Sequence, residues 1–315
     1  MADIYLHARL AEEVMKDIDI SLKKDLVYLG AQGPDPLYYQ ATGDNAKDYK
    51  YLADRIHDTD TQTFLIEMTN YLKENYSEML FSHYLGFICH YALDVKIHPY
   101  VYYNVGIYRK DKPETNEYKG LHFKFERSID ACMIEKEQKM KANKFKVHKA
   151  YFNHVEIPLD ILFMIETAVN KTFDKNSAGT MYEIGAKKMF KNIKSFVYDP
   201  FGIKKQVLKV ASLFMKTELE MPDLSFFNHI ENYDFLNESK KTWYHPLSNI
   251  PSNSSVEELF NEAKVFAHEI IKNVREYLLD SEKVDLKTVF TNLSFNSGMN
   301  CDLKEEMKYF NNYRK

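Results

Sequence analysis

Apolar residues recur at helical spacing along most of the chain. Residues 3–18 place them three or four positions apart, which predicts a helix with one buried face. The same spacing predicts a helix capped by Asp58 or Thr59 that runs to about Asn75, and one that Ser77 opens and Pro99 ends. Further helices are expected at about 119–141, 157–173, 178–198, 201–219 and 256–280, the last opened by the capping box Ser255-x-x-Glu258.

Three stretches lack this spacing. Gly30, Gly33 and the run Pro34-Asp35-Pro36 predict a loop. Residues 220–254 read as a long irregular segment, and the tail after residue 283 reads as loop with a short helix near 303–310. The fold class expected is therefore all-α, with a histidine-rich core over 1–145 and a helical part over 146–315 packed on it as one compact unit.

Composition narrows the function classes. Ten Gly and nine Pro in 315 residues are too few for the turns of a sandwich or barrel, and neither common glycine-rich phosphate motif occurs. A net charge of −4 gives no basic footprint for duplex nucleic acid. The three cysteines form no C-x-x-C pair, and the chain has no signal-peptide pattern and no 18-residue uncharged apolar run. We therefore expect a cytoplasmic protein without a membrane span.

The candidate chemistry is a set of histidines and carboxylates at helical spacing. His83, His90 and Asp94 share one face of the helix expected after Ser77, and His98 lies four residues beyond Asp94. His122 and Glu126 form a second i, i+4 pair, whose Cβ atoms would lie about 5–6 Å apart on a helix.

Side chains at this spacing can share one cation, and burying so many ionisable groups without one would be costly. A lone pair such as His122 and Glu126 is nevertheless common on ordinary helices. A lone histidine on an apolar stripe, such as His7, is usually a hydrogen-bonded core residue. From spacing alone, a metal site and an ordinary polar core both stay open.

The run Leu85-Gly86-Phe87-Ile88-Cys89-His90-Tyr91-Ala92-Leu93-Asp94, followed by His98 and His122-x-x-x-Glu126, resembles the zinc-dependent phospholipase C family and the related single-strand-specific nucleases. His7, the segment Leu29-Gly30-Ala31-Gln32-Gly33-Pro34-Asp35 and His57 match upstream parts of the pattern. The G-x-x-x-P-D element in that segment also looks like the N-terminal domain of glycosylphosphatidylinositol-specific phospholipase D. The resemblance implies a phospholipase C/nuclease-like helical bundle with additional C-terminal helices.

The resemblance implies a cluster of two or three zinc ions. Asp35, His57, His90 and Asp94 would hold one ion, and His98, His122 and Glu126 a second. Asp94 would bridge to a third ion that His7 also holds. The family completes this third site with an N-terminal Trp, which this chain lacks; the amino group of Ala2 would substitute if Met1 were removed. Iron or manganese could occupy the same donor set.

The implied activity is zinc-dependent phosphodiester hydrolysis of phospholipase C type, in which a metal-activated water attacks phosphorus. A phospholipid or another phosphodiester would be the substrate, with peripheral contact to a membrane and an apolar, exposed mouth. Asp35 would either position and deprotonate the water or serve only as a ligand. A nuclease or phosphomonoesterase on the same cluster, or a non-catalytic metal-stabilised scaffold, are the alternatives.

Substrate-contact residues are not specified. Choline-specific members carry aromatic residues where this chain has Pro36 and Asp54, so their choline cage is not expected. His83 could support a ligand, contact substrate or simply belong to the core. Two groups are expected to be mainly structural, namely Tyr38, Tyr39, Tyr91, Tyr100, Tyr102 and Tyr103, and His148, His154, His229, His245 and His268.

Overall fold

A computed structural model describes residues 4–40, 43, 45–153, 156–214, 221–226 and 230–315. Ala2, His154, His229 and the end of the helix expected at 201–219 lie outside these ranges. The described α helices are α1 Ile4–Lys16, α2 Lys24–Gly30, α3 Ala46–Asp58, α4 Thr61–Glu74, α5 Glu78–Val105, α6 Leu121–Gln138, α7 Val147–Tyr151, α8 Leu159–Phe173, α9 Ala178–Asn192, α10 Ile203–Ser212, α11 Val256–Leu279 and α12 Leu286–Val289.

Short elements connect these helices. Strands β1 (Trp243–Tyr244) and β2 (Pro251–Ser252) pair antiparallel and form the only sheet within the described ranges. Single turns of tighter or wider helix lie at Asp35–Tyr39, Pro113–Tyr118, Ala142–Lys144, Ile193–Val197, Met221–Leu224 and Cys301–Leu303. The all-α fold class is thereby confirmed.

Helix α5 forms the centre of the molecule. The Ser77 side chain accepts a hydrogen bond from the Leu80 amide at its first turn, which caps the helix as its sequence predicts. Helices α1, α2 and α11 pack along it. Gly30 and Gly86 let α2 approach closely, because a Cβ at Gly86 would lie 2.1 Å from the Val27 carbonyl oxygen. The helix therefore carries its polar side chains inside a packed core.

Pro99 lies inside α5, so the expectation that it ends the helix was wrong. Proline cannot donate a hydrogen bond to the carbonyl of Val95, four residues earlier. Gly298 packs against that carbonyl, because a Cβ on Gly298 would lie 2.5 Å from the Val95 oxygen. The helix continues to Val105, and Gly106 then adopts a φ of 62°. His98 consequently stays in helical register with Asp94.

Two loop expectations also needed correction. The loop predicted from Gly30 to Pro36 is confirmed only over residues 31–34, because Gly30 is the last residue of α2 and a helical turn begins at Asp35. No helix occupies 304–310; the tail instead forms the turn Cys301–Leu303 and then an extended segment. The amides of Lys308 and Tyr309 in that segment both donate to the Pro246 carbonyl. These hydrogen bonds to a distant part of the chain take the place of the hydrogen bonds of a helix.

The remaining predicted helices are confirmed within a few residues, except that the helix expected at 201–219 ends already at Ser212. The capping box opens α11: the Ser255 side chain accepts from the Glu258 amide, and the Glu258 carboxylate accepts from the Ser255 amide. Within the described part of the chain, no helix has the combined length and hydropathy needed to cross a membrane.

Candidate metal centre

The fold brings the eight predicted side chains together in the core. Each comes from one of five separate elements, and seven of them are buried, with His122 partly exposed. They are His7 of α1, Asp35 at the start of the turn Asp35–Tyr39, His57 in the last turn of α3, His90, Asp94 and His98 of α5, and His122 and Glu126 of α6.

Asp94 lies at the centre of this cluster. One carboxylate oxygen, Oδ1, is 3.2 Å from the Nε2 atom of His7 and 3.5 Å from that of His98. The other, Oδ2, is 3.0 Å from Nε2 of His90 and 3.8 Å from Nε2 of His57. One buried carboxylate therefore faces four imidazoles, which is the arrangement of a bridging group.

Donor atoms form three adjoining groups, each compact enough to share one ion. Within each group the candidate ligand atoms lie within 4.8 Å of one another. The groups are His7 with His90 and Asp94, Asp35 with His57 and His90, and His98 with His122 and Glu126. The third group is held by Glu126 Oε1, which lies 3.0 Å from His98 Nε2 and 3.1 Å from His122 Nε2.

Backbone carbonyls orient three of the imidazoles. The Nδ1 atom of His57 is 2.7 Å from the Ala53 oxygen, that of His90 is 3.2 Å from the Ala31 oxygen, and that of His98 is 2.9 Å from the Phe295 oxygen. A carbonyl only accepts, so each Nδ1 carries a proton and each Nε2 points toward the carboxylates of the cluster, where it can bind a cation once it has no proton of its own. This is the tautomer of a histidine that binds a metal through Nε2.

The carboxylates of the cluster stay ionised despite their burial. Burial opposes the charge of Asp94, but His90, His98 and His7 hold its pKa well below its usual range. The pKa of Glu126 is about 2, because His122 and a hydrogen bond from His98 outweigh burial. The pKa of Asp35 is likewise lowered by His90 and His57 against the effect of burial. The cluster thus contains three negative charges, those of Asp35, Asp94 and Glu126.

Histidine protonation responds to those charges. Burial lowers the pKa of His98, yet Asp94 and Glu126 raise it to about 9. A cation would displace that proton and take its place between the carboxylates. Burial lowers the pKa of His122, which keeps its ring neutral.

Several buried polar atoms of the cluster make no well-aligned hydrogen bond among the described residues. They include Oε2 of Glu126, and Nε2 of His90 and Oδ2 of Asp94, which lie 3.0 Å apart. A buried unpaired polar atom is costly, and here each belongs to a group of potential ligands. A cavity of about 20 Å³ also lies between His7, Asp94, His98 and Glu126. The donor set, its orientation and its unpaired atoms all fit divalent metal ions.

The open side of the cluster is at His122. Its side chain is 25% exposed, whereas Asp94 and Glu126 are almost fully covered. The Tyr102 ring lies beside the His122 ring, tilted by 50° with 4.7 Å between the ring centroids, and the Tyr38 ring lies 5.6 Å from that of His57. Both tyrosines are partly exposed and flank the ligands, unlike the buried Tyr91 and Tyr100. Burial raises the pKa of both, so their hydroxyls stay protonated.

His83 belongs to the core. It is fully buried, its Nε2 atom lies 3.0 Å from the Tyr182 hydroxyl, and burial lowers its pKa to about 3. It shares a helix face with His90 but joins none of the three donor groups. Of the readings its sequence position allowed, the core residue is confirmed.

Asp130 fixes the start of α1 and with it His7. Its two carboxylate oxygens accept hydrogen bonds from the amides of Tyr5 and Leu6 at 2.6 and 2.8 Å. These are first-turn amides without partners inside the helix, and the negative charge also suits a helix N-terminus. Sequence reasoning missed this residue. The available signal was an acid on the buried side of α6, four residues after Glu126.

Substituting Asp130 tests this anchoring. Asp130→Ala leaves two buried amides unpaired, so we expect a loss of about 1–3 kcal/mol in the free energy of unfolding, measured by urea denaturation. Asp130→Asn keeps one acceptor oxygen, so its free energy of unfolding should fall by less than that of Asp130→Ala. If Asp130→Ala were as stable as the wild type, the carboxylate would not hold α1.

Phe295 is the second residue that sequence reasoning missed. Its carbonyl accepts from His98, its amide donates to the His57 carbonyl at 2.8 Å, and its ring contacts His57 and His90. Ser294 holds this loop through hydrogen bonds to Asp58 and to the amides of Asn296 and Ser297. Because backbone atoms carry these contacts, no motif in the sequence marks them.

Gly33 packs directly against the His90 ring. It has a φ of +48°, and a Cβ at this position would lie 2.2 Å from His90 Cδ2. Any larger residue must push His90 out of the cluster. Gly33 therefore matters for two reasons, its backbone conformation and its lack of a side chain.

We expect Gly33→Ala to weaken zinc binding by about 10–100-fold, as for other losses of ligand orientation, in a competition titration with a fluorescent chelator. Gly43→Ala is the matched control, since Gly43 also has a positive φ of +102°, but a Cβ there would make only an ordinary van der Waals contact, 3.7 Å from Gln40 Nε2. Equal zinc affinity in the two variants would contradict the assigned position of His90.

This all-α protein has adjoining groups of buried histidines and carboxylates, which is the donor arrangement of a helical metalloprotein. The family model for zinc dependent phospholipase C matches residues 6–277, and the chain belongs to that family. No curated protein and no solved structure matches it. The expected family resemblance is confirmed over most of the chain.

Proposed function

We propose that the eight clustered side chains hold two zinc ions, and a third where an additional donor joins His7 and Asp94. His98, His122 and Glu126 form one set. Asp35, His57 and His90 form the other, with Asp94 between them. The support is the 4.8 Å spacing of the donors in each set, the unpaired lone pairs and the family. Iron or manganese would suit the same donors.

The function that fits best is hydrolysis of a phosphodiester of phospholipase C type. Water would add to phosphorus, and the ester bond to the alcohol would break, giving an alcohol and a phosphomonoester. For a glycerophospholipid the products are diacylglycerol and a phosphorylated head group. The observation that carries this proposal is the central position of ionised Asp94 among four imidazoles, in a member of this family.

When bound, zinc would neutralise phosphoryl charge and lower the pKa of water. The chain's own residues do the positioning. Asp35 Oδ1 is 3.3 Å from His57 Nε2 and the carboxylate stays ionised, so it would position the attacking water and take up its proton as the water is activated. The partly exposed side at His122 would admit the phosphodiester. Tyr38 and Tyr102, whose hydroxyls donate to Asp54 and Asn296, flank that entrance.

We also propose that residues 1–145 and 146–315 act as one unit. Phe295 supplies the carbonyl that orients His98, and α11 packs along α5. The C-terminal part therefore completes the surroundings of the ligands, so the first 145 residues alone would lack that support.

A substrate panel tests the proposal. Purified protein would be assayed on phosphatidylcholine and phosphatidylinositol in mixed micelles, bis-p-nitrophenyl phosphate, p-nitrophenyl phosphate and single-stranded oligonucleotide, with product identification by mass spectrometry. We expect diacylglycerol release, its loss with a chelator and its recovery with zinc. Preferential oligonucleotide cleavage would favour a nuclease, preferential monoester cleavage a phosphomonoesterase, and bound zinc without any turnover a scaffold.

A further inference from the structure

An apolar surface lies far from the metal ligands in sequence, at residues 201–214. Six of the eighteen large apolar side chains that are exposed within the described ranges belong to this short stretch, with exposures between 58% and 84%. We call it the 201–214 patch, and its members are Phe201, Ile203, Val207, Val210, Leu213 and Phe214.

Helix α10 organises this patch. Ile203, Val207 and Val210 follow the i, i+4, i+7 spacing and form one outward face, whereas Leu208 is the one buried residue of the helix. A helix of this kind normally turns its apolar face inward. Here the apolar face has no covering element among the described residues.

The patch is exposed although its helix is firmly attached. The Asp199 carboxylate accepts from the Lys205 amide at 2.9 Å at the start of α10, and the Asp199 amide donates to the Asn143 carbonyl. The Lys205 Nζ donates to the Pro222 carbonyl at 3.1 Å. The exposed face is therefore a fixed feature of the surface.

Positive charge borders the apolar face. Residues 200–214 contain three lysines and no acidic residue. At 3.6 residues per turn, Lys204 and Lys209 fall on opposite flanks of the face formed by Val207 and Val210. An apolar helix face between lysines is the pattern of a helix that lies in the interface of a lipid bilayer, with its lysines near lipid phosphates.

We propose that the 201–214 patch docks this protein on the surface of a phospholipid bilayer, with Phe201, Val207 and Phe214 entering the interface. The choice of a phospholipid surface rests on the proposed function, since the substrate would lie in the same bilayer. The patch is also tied to the metal centre. Helix α10 packs on the turn Met221–Leu224, and that turn packs on α6, the helix of His122 and Glu126.

A second copy of this chain fits the patch less well. A symmetric dimer would place the same surface on both sides of the contact, so the flanking lysines of both copies would meet with no acid in the stretch to neutralise them. A bilayer that contains anionic lipid supplies both an apolar layer and negative phosphates.

Vesicle flotation tests the docking surface separately from catalysis. Full-length protein would be mixed with vesicles of phosphatidylcholine, alone and with phosphatidylglycerol, in the presence of chelator so that no lipid is consumed. We expect binding that increases with phosphatidylglycerol. Val207→Asp should reduce the partition coefficient by about tenfold or more, since it replaces an inserted apolar side chain with a charge. Val265→Asp on α11 is the matched control, because Val265 is 60% exposed and Val207 61%.

Each outcome has a distinct meaning. Equal vesicle binding by wild type, Val207→Asp and Val265→Asp, or no binding at all, would overturn the docking proposal. A wild-type dimer in light scattering that Val207→Asp converts to a monomer would also overturn it, in favour of a second copy. Lipid binding without turnover on any phosphodiester would keep the docking surface and refute the proposed function. Turnover of bis-p-nitrophenyl phosphate without vesicle binding would support the proposed function and refute the docking surface.

Discussion

Asp94→Asn should remove at least one zinc ion per chain and reduce phosphodiester hydrolysis by about 10³-fold. Asparagine preserves the size of the side chain but removes the charge that faces the imidazoles of His7, His57, His90 and His98. The loss corresponds to the several kcal/mol that metal ions contribute to phosphoryl transfer. Elemental analysis by mass spectrometry gives the zinc content, and bis-p-nitrophenyl phosphate gives the rate.

Asp54→Asn is the control for this substitution. Asp54 is half exposed, accepts from the Tyr38 hydroxyl and lies outside the three donor groups. Its variant should retain the wild-type zinc content and a rate within a few-fold of wild type. Full zinc occupancy in Asp94→Asn would show that the central carboxylate holds no ion.

Asp35→Asn should reduce kcat by about 10²–10⁴-fold while the zinc content falls by at most one ion. The reason is that the amide cannot accept a proton from the attacking water, whereas the set of His98, His122 and Glu126 is untouched. Steady-state kinetics on bis-p-nitrophenyl phosphate, with elemental analysis of the same samples, would measure both effects.

The two roles of Asp35 separate in this experiment. If added zinc restored the activity of Asp35→Asn to the wild-type value, Asp35 would act only as a ligand. If zinc content were unchanged and kcat stayed low at saturating zinc, its role in positioning and deprotonating water would be supported. His57→Ala is a useful comparison, because it removes a neighbouring donor and should respond to added zinc.

The helical spacing of apolar residues predicted most of the helices, because the residues that form one apolar helix face lie close together in the sequence. Ser77 and the capping box at Ser255 marked two helix starts correctly. Helix α3 was missed although Tyr49, Leu52 and Ile56 follow the helical spacing, since most of its remaining residues are polar or charged. The helix end predicted at Pro99 was wrong because Gly298 packs against this part of α5, and that packing outweighs the local tendency of proline to end a helix.

The ligand set could be proposed from sequence because histidine and carboxylate pairs on α5 and α6 lie one turn apart and the family pattern supplies the rest. The residues that orient this ligand set could not be proposed from the sequence. Asp130 acts on backbone amides 124 and 125 residues away, and Phe295 acts through its own backbone 197 residues from His98. Such contacts depend on how distant segments pack, which no local pattern specifies. The cytoplasmic location stays a prediction.

Crystallographic anomalous scattering tests the central claim most directly. Data collected above and below the zinc absorption edge from crystals of the purified protein would locate the ions themselves. We predict one peak among His98, His122 and Glu126, and another among Asp35, His57 and His90, with Asp94 between them. Crystals soaked in zinc that showed no anomalous peak at either group, with the imidazoles hydrogen-bonded to the carboxylates instead, would contradict the account.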